Sequence, residues 1–268
     1  MGWRTLAATA LMLPLLTAHA ADSHRRDAEV AIIIDDIGDA PDLGRQAVEL
    51  PGPVACAFLP HTPYARNLAR EAWRRDKEVL LHLPLESLDK RPLGPGGVTL
   101  GMDRQQVIST LRSDLASIPH VMGVNNHMGS MLTQHPGLMA WIMDEMHANE
   151  PDLFFVDSYT TPRSVALQVA DEAGVPAVRR KVFLDDDLDP AAIRSEFARL
   201  IEVARRDGAA LAIGHPHPQT LAVLREELPR LSDESIRLVR VSDLIQRRER
   251  RQTTWQASSS PWHPASRR

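Results

Sequence analysis

The chain has 268 residues, 43% hydrophobic and 25% charged, the composition of a globular protein able to bury a sizeable core rather than of a disordered or collagen-like chain. Its net charge of −4 hides an asymmetry: Arg247 to Arg268 hold six arginines and one glutamate, and taking away that +5 together with Arg4 leaves residues 21–246 near −10. An acidic body with only 4% aromatic residues argues against nucleic acid as a partner.

The start of the chain is basic in MGWR, then apolar through LAATALMLPLLTA, then Ala18-His19-Ala20. Those three features predict a signal peptide over residues 1–20, a linker over 21–28 and an exported, periplasmic protein. The alternative, an uncleaved anchor, fits less well, because the run is short for a spanning helix and contains Pro14. No stable membrane insertion is expected after cleavage. Export would permit disulfides, yet Cys56 is the only cysteine and lies in the apolar run VACAF, where it reads as a small buried hydrophobe.

From residue 29 onward, short apolar runs alternate with amphipathic stretches. Strands are predicted near 30–34, 53–58, 78–81, 121–124, 153–156, 177–179, 210–213 and 237–241. Helices are predicted over 41–50, 63–75, 103–117, 134–148, 163–173, 189–206, 217–228 and 242–250. Asp103, Pro136 and Asp189-Pro190 supply start signals, and Gly174 and Gly208 mark ends. The pattern predicts one α/β domain over 29–246, a distorted (β/α) barrel of seven or eight parallel strands, with an open doubly wound sheet as the alternative. The segment 247–268 lacks apolar periodicity and is expected to be a disordered basic tail.

In such folds functional groups gather at the carboxyl ends of the strands. Polar residues fall there repeatedly: Asp35 and Asp36 after AIII, His61 after the second strand, His82 and then Glu86 after the third, and Asn125, Asn126 and His127 after the fourth. Asp157 and Ser158 follow the fifth, and His215 and His217 follow AALAIG. Aspartate and histidine converging from several strands are the ligands a divalent cation takes, with zinc the expected ion. Several of these residues have a plainer explanation too. Asp35 and Asp36 could cap the next helix, His82 could be a half-buried core histidine, His217 could start a helix, and His61 could line a cleft without doing chemistry. Their shared location at the strand ends favours one site over these separate explanations. There is no phosphate-binding glycine loop, no dinucleotide fingerprint and no GxSxG elbow.

At these residues the sequence resembles the divergent polysaccharide deacetylase family, a branch of the NodB-homology superfamily of metal-dependent carbohydrate esterases. IIIDDIG, FLPHTP, LLHLPLE, GVNNHMGS, FFVDSYTT and IGHPHP carry the likeness, from Val30 to Leu244. The resemblance implies Asp35 as base and Asp36 as metal ligand. Where the superfamily has two histidines four residues apart, His82 is followed at that spacing by Glu86, so either Glu86 or His127 completes the ligand set; Asp36, His82 and His127 are the favoured three. The superfamily's Arg-x-Pro-aromatic motif is not evident. Asp157 falls at a supporting acidic motif, and His215 corresponds to the general acid.

The implied activity is metal-assisted removal of acyl, chiefly acetyl, groups from an envelope or cell-wall polysaccharide, with His61, Glu86, Asn126 and Ser158 expected to line the substrate site. Two readings compete with it. One is a catalytically weak or inactive domain that binds glycan or an envelope partner. The other is a phosphoester hydrolase, disfavoured by the scarcity of lysine and arginine at the strand ends.

Overall fold

Ten consecutive residues, Ala28–Ile37, form β1, and three other strands attach to it. The computed structural model describes residues 28–259; the expected leader (1–20), nearly all of the linker, and residues 260–268 lie outside that range. The other strands are β2 (Ala55–Phe58), β3 (Val79–Leu85), β4 (Val121–Met128), β5 (Phe154–Asp157), β6 (Ala177–Arg179), β7 (Val182–Phe183), β8 (Ala209–Gly214) and β9 (Ile236–Leu238). They form one parallel sheet in the order β6-β5-β4-β3-β2-β1-β8-β7, with β9 added to the start of β1.

The expected α/β barrel is therefore present but open. Its edges are β6 and β7, joined by only Arg180 and Lys181, so the chain crosses the seam in two residues without ladder hydrogen bonds between the edges. With two residues, β7 is too short to show as an apolar run. β3 and β4 run further than expected, because their pairing continues through His82↔Asn125, Pro84↔His127 and Leu85↔Met128. The polar residues of these two strands thus belong to the strands and obey their alternation.

The helices are α1 (Pro41–Val48), α2 (Ala65–Arg74), α3 (Arg104–Ser117), α4 (Pro136–Asn149), α5 (Ala166–Ala173), α6 (Pro190–Asp207), α7 (Pro218–Glu227) and α8 (Val241–Ser259). The expected signals operate. Asp103 accepts from the Gln106 N–H in a capping box, Asp189 caps α6, and Gly174 and Gly208 take the left-handed conformation at helix ends. None of the described helices is long and apolar enough to cross a membrane.

Alternation along β1 divides the core. Val30, Ile32 and Ile34 pack outward with residues of the surrounding helices, whereas Ala31 and Ile33 face the concave side with Leu80, Val156, Leu211 and Ile213. That inner cluster is filled by Val241, Leu244 and Ile245 of α8, which plugs the amino-terminal end of the sheet. Buried Glu78 accepts from the N–H groups of Val241 and Ser242 and so caps α8.

The tail expected to be disordered from Arg247 is helical to Ser259. Arg247 pairs with Glu29 at 2.6 Å, Arg248 reaches Asp171 and the Ala177 carbonyl, and Arg251 donates to the Asp207 carbonyl. Beyond the apolar residues Val241, Leu244 and Ile245, this helix meets the body through these charged and carbonyl partners.

Candidate active site

Asp35 continues the inward side of β1 after Ile33, and strict alternation would turn Asp36 away. Asp36 instead has φ +55°, and the β1–β2 register shifts between Ile34 and Ile37. This left-handed residue at an irregular strand end brings both carboxylates to the same face, a strained choice of the kind found at functional sites. Both then reach one histidine: His82 Nε2 lies 3.6 Å from Asp35 Oδ2 and 3.1 Å from Asp36 Oδ1.

His127, inward on β4, places Nδ1 2.9 Å from Asp36 Oδ1 and 3.2 Å from His82 Nε2. Asp36 Oδ1 is buried yet makes no hydrogen bond of proper geometry with either ring. Neighbouring ligand atoms in tetrahedral coordination with bonds of about 2.0–2.1 Å are roughly 3.3–3.4 Å apart, so this triangle is close to the spacing a cation needs. An orphaned carboxylate oxygen facing two imidazole nitrogens fits a divalent cation. Burial would raise the Asp36 carboxyl, but the adjacent imidazoles of His127 and His82 outweigh it and hold it well below the usual carboxylate range. The Asp35 carboxyl is pushed up by burial despite the positive charge of His82 and His215 nearby.

Across from His127, His215 Nε2 lies 3.8 Å from Asp36 Oδ2. Its Nδ1 is 3.0 Å from Asp185 Oδ1, and its backbone N–H donates to Asp185 Oδ2 at 2.6 Å. Burial opposes a charge on His215, but the Asp185 hydrogen bond and the carboxylates of Asp35 and Asp36 raise it to about 9. A cleft of about 630 Å³ opens beside it at the seam, lined by Tyr159, Arg180 and Phe183, with the Phe183 ring centred 5.2 Å from that of His215. A second trio able to approach one cation, Asp185, His215 and His217, has its carboxylate already engaged by His215 and by Thr220.

Thus Asp35, Asp36, His82, His127 and His215 come together, and the other expected site residues do not join them. Asp157 follows the outward side of Phe155, and its carboxylate is taken by Ser164, the Tyr159 N–H and Arg179 at 3.0 Å. Asn126 also lies on the outward parity of β4, and its amide is spent on the Ser158 N–H and the Met128 carbonyl. Ser158 is buried within hydrogen-bond reach of Asn125 rather than open to substrate. Glu86 turns to accept the Leu100 N–H at 2.7 Å and so anchors the following loop. His61 belongs to a separate depression of about 500 Å³, where Nε2 lies 2.9 Å from Oδ1 of Asp114, a wholly buried carboxyl that burial pushes up to about 8.

Two participants stand outside the set of residues expected to form the site, although Asn125 is among the polar residues at the end of the fourth strand. Asn125, one residue before the expected Asn126, faces inward. Asp185 opens the run DDD after VFL, the same strand-end carboxylate signal as Asp35, hidden because β7 is so short.

The divergent polysaccharide deacetylase family model matches residues 32–245. The chain belongs to that family. Among its relatives is the uncharacterized protein YibQ of Escherichia coli K12, 38% identical over 217 residues that make up 81% of this chain and 67% of YibQ. An uncharacterized protein of Haemophilus influenzae is 37% identical over 216 residues, 81% of this chain and 76% of the relative. The fold is shared with the uncharacterized protein ATU2773 of Agrobacterium tumefaciens C58, at a TM-score of 0.77 and 24% identity over 82% of this chain and 89% of that one. It is also shared with a mutant of the peptidoglycan deacetylase PdaC of Bacillus subtilis, at a TM-score of 0.51 and 12% identity over 88% and 99% of the two chains.

Proposed function

We propose that this chain is a metal-dependent hydrolase that removes N-acyl, chiefly acetyl, groups from an envelope or cell-wall polysaccharide after export to the periplasm. The observation that carries this reading is the triangle of Asp36, His82 and His127 with a carboxylate on one flank and a proton-bearing imidazole on the other. Family membership supports it, as does a fold shared with a peptidoglycan deacetylase.

Asp36, His82 and His127 would hold a divalent cation, with zinc the best match to one carboxylate and two imidazoles, which when bound supplies Lewis acidity and eases the ionisation of water. Asp35, whose carboxyl burial makes more basic than usual, takes a proton from the attacking water. The new C–O bond forms as the amide carbonyl becomes tetrahedral. His215, raised to about 9, carries its proton at neutral pH and gives it to the nitrogen as the C–N bond breaks, leaving acetate and a free amine. The cleft beside His215 would seat the sugar against Tyr159, Arg180 and Phe183.

The test is elemental analysis of chelator-free protein, combined with acetate release from N-acetylated glycan oligomers and peptidoglycan fragments by wild type, Asp35→Asn and His215→Ala. About one zinc per chain and acetate release abolished in both variants are expected. A protein that neither contains nor takes up zinc, cobalt or nickel would overturn the mechanism and leave a glycan-binding domain.

A further inference from the structure

Asn125 is wholly buried in the middle of the sheet, in register with His82 on β3. Its side chain makes three contacts. Oδ1 lies 2.9 Å from His82 Nδ1, Nδ2 donates to Asp35 Oδ1 at 2.8 Å, and Nδ2 lies 3.3 Å from Ser158 Oγ. We infer that Asn125 is the positioning residue that locks the ring of His82 and the carboxylate of Asp35 relative to each other; the inference rests on the function proposed above.

The chemistry requires an amide. An imidazole that binds a cation through Nε2 must keep its proton on Nδ1, so its partner there has to be an acceptor. A carboxylate acting as base needs a donor on one oxygen to hold it while the other faces the reaction. Asn125 offers an acceptor and a donor on one planar group, and the Asp35 carboxylate, which can only accept when ionised, fixes which way the amide points. Asp35 Oδ1 is thereby occupied, and Oδ2 is left as the oxygen toward His82 Nε2. An aspartate at 125 would keep an acceptor for His82 but set a second carboxylate against Asp35, whereas an alanine would release both. Ser158 steadies the amide from the third side, and Asn126 in turn accepts the Ser158 backbone N–H, so two adjacent residues of β4 both bond Ser158.

The experiment uses the whole chain with Asn125→Ala and Asn125→Asp, each checked for folding by circular dichroism. Three readouts are taken: zinc affinity by chelator competition, kcat and KM for acetate release, and the NMR resonance of the His82 Nδ1 proton in metal-free protein. Asn125→Ala is expected to weaken zinc binding about 10–100-fold. Asn125→Asp is expected to lower kcat about 100-fold with KM changed less than about twofold, the mark of a misplaced base rather than a damaged substrate site. The slowly exchanging His82 Nδ1 proton should be present in wild type and lost in Asn125→Ala. Unchanged zinc affinity and kcat in both variants, or a His82 proton resonance indifferent to Asn125→Ala, would overturn the inference. If wild type binds no metal and releases no acetate while Asn125→Ala still loses that resonance, the hydrolase reading fails and the locking of His82 stands. If Asn125→Ala does not fold, Asn125→Asp carries the decision through kcat.

Discussion

Asp185 grips His215 at two points, accepting its backbone N–H with Oδ2 and facing its ring Nδ1 with Oδ1. One carboxylate therefore sets both the position of the loop and the orientation of the ring, leaving Nε2 toward the carboxylates of the site. Asp185→Asn should lower kcat for acetate release about 100-fold or more, the usual range for impairing a general acid. The carboxylate favours the charged imidazole, so its loss should move His215 in the metal-free protein from about 9 toward about 6.5, read by NMR titration. An unmoved titration would show that Asp185 only shapes the loop.

Metal content separates the two ligand sets the sequence left open. Asp36→Ala, His82→Ala and His127→Ala should each reduce bound zinc from about one per chain to near zero, while Glu86→Ala should retain it, because Glu86 is committed to the Leu100 N–H. Zinc lost with Glu86 and kept without His127 would reverse the assignment.

Asp114 makes stability fall with rising pH. Below about pH 4 the folded and unfolded chains both hold its proton; above that the unfolded chain releases it, while the folded chain retains it to about 8. Across that window the native state binds the extra proton, so this group lowers stability by at most about 1.4 kcal/mol per pH unit. Asp114→Asn keeps a partner for His61 and cannot ionise. Urea denaturation at pH 5, 7 and 9 should show a flatter profile for the variant, and parallel profiles would refute the account.

Glu78 joins the start of β3 to the start of α8 by accepting two N–H groups that nothing else in the helix can satisfy. Glu78→Ala should destabilise the fold by about 1–3 kcal/mol in chemical denaturation, and Glu78→Gln by less. A chain ending at residue 246 should also lose stability, since it lacks the Arg247–Glu29 and Arg248–Asp171 pairs. An unchanged midpoint for the truncated chain would show that these pairs contribute nothing.

The β/α alternation, helix caps such as Asp103 and Asp189, and the gathering of Asp36, His82 and His127 at strand ends were all legible in one dimension. Periodicity, capping and strand-end position are local properties, decided by neighbours within a few residues. Asn126 shows where that legibility stops. It and Asn125 are chemically identical and adjacent, and which one faces the site depends on how far β4 extends in register with β3.

The tail and the seam lie beyond local reading for the same reason. Arg247 and Arg248 look like solvated charges until Glu29 and Asp171, distant in sequence, are placed beside them, and two residues of β7 become a strand only because β8 pairs with them. The sequence by itself determined the layered α/β architecture and the residue types available for chemistry, because hydrophobic spacing and end signals are written along the chain. Only the tertiary structure decided which carboxylate orients His215, which amide locks His82, and that Glu86 holds a loop, because each is a contact between strands or loops whose register and reach no local pattern specifies.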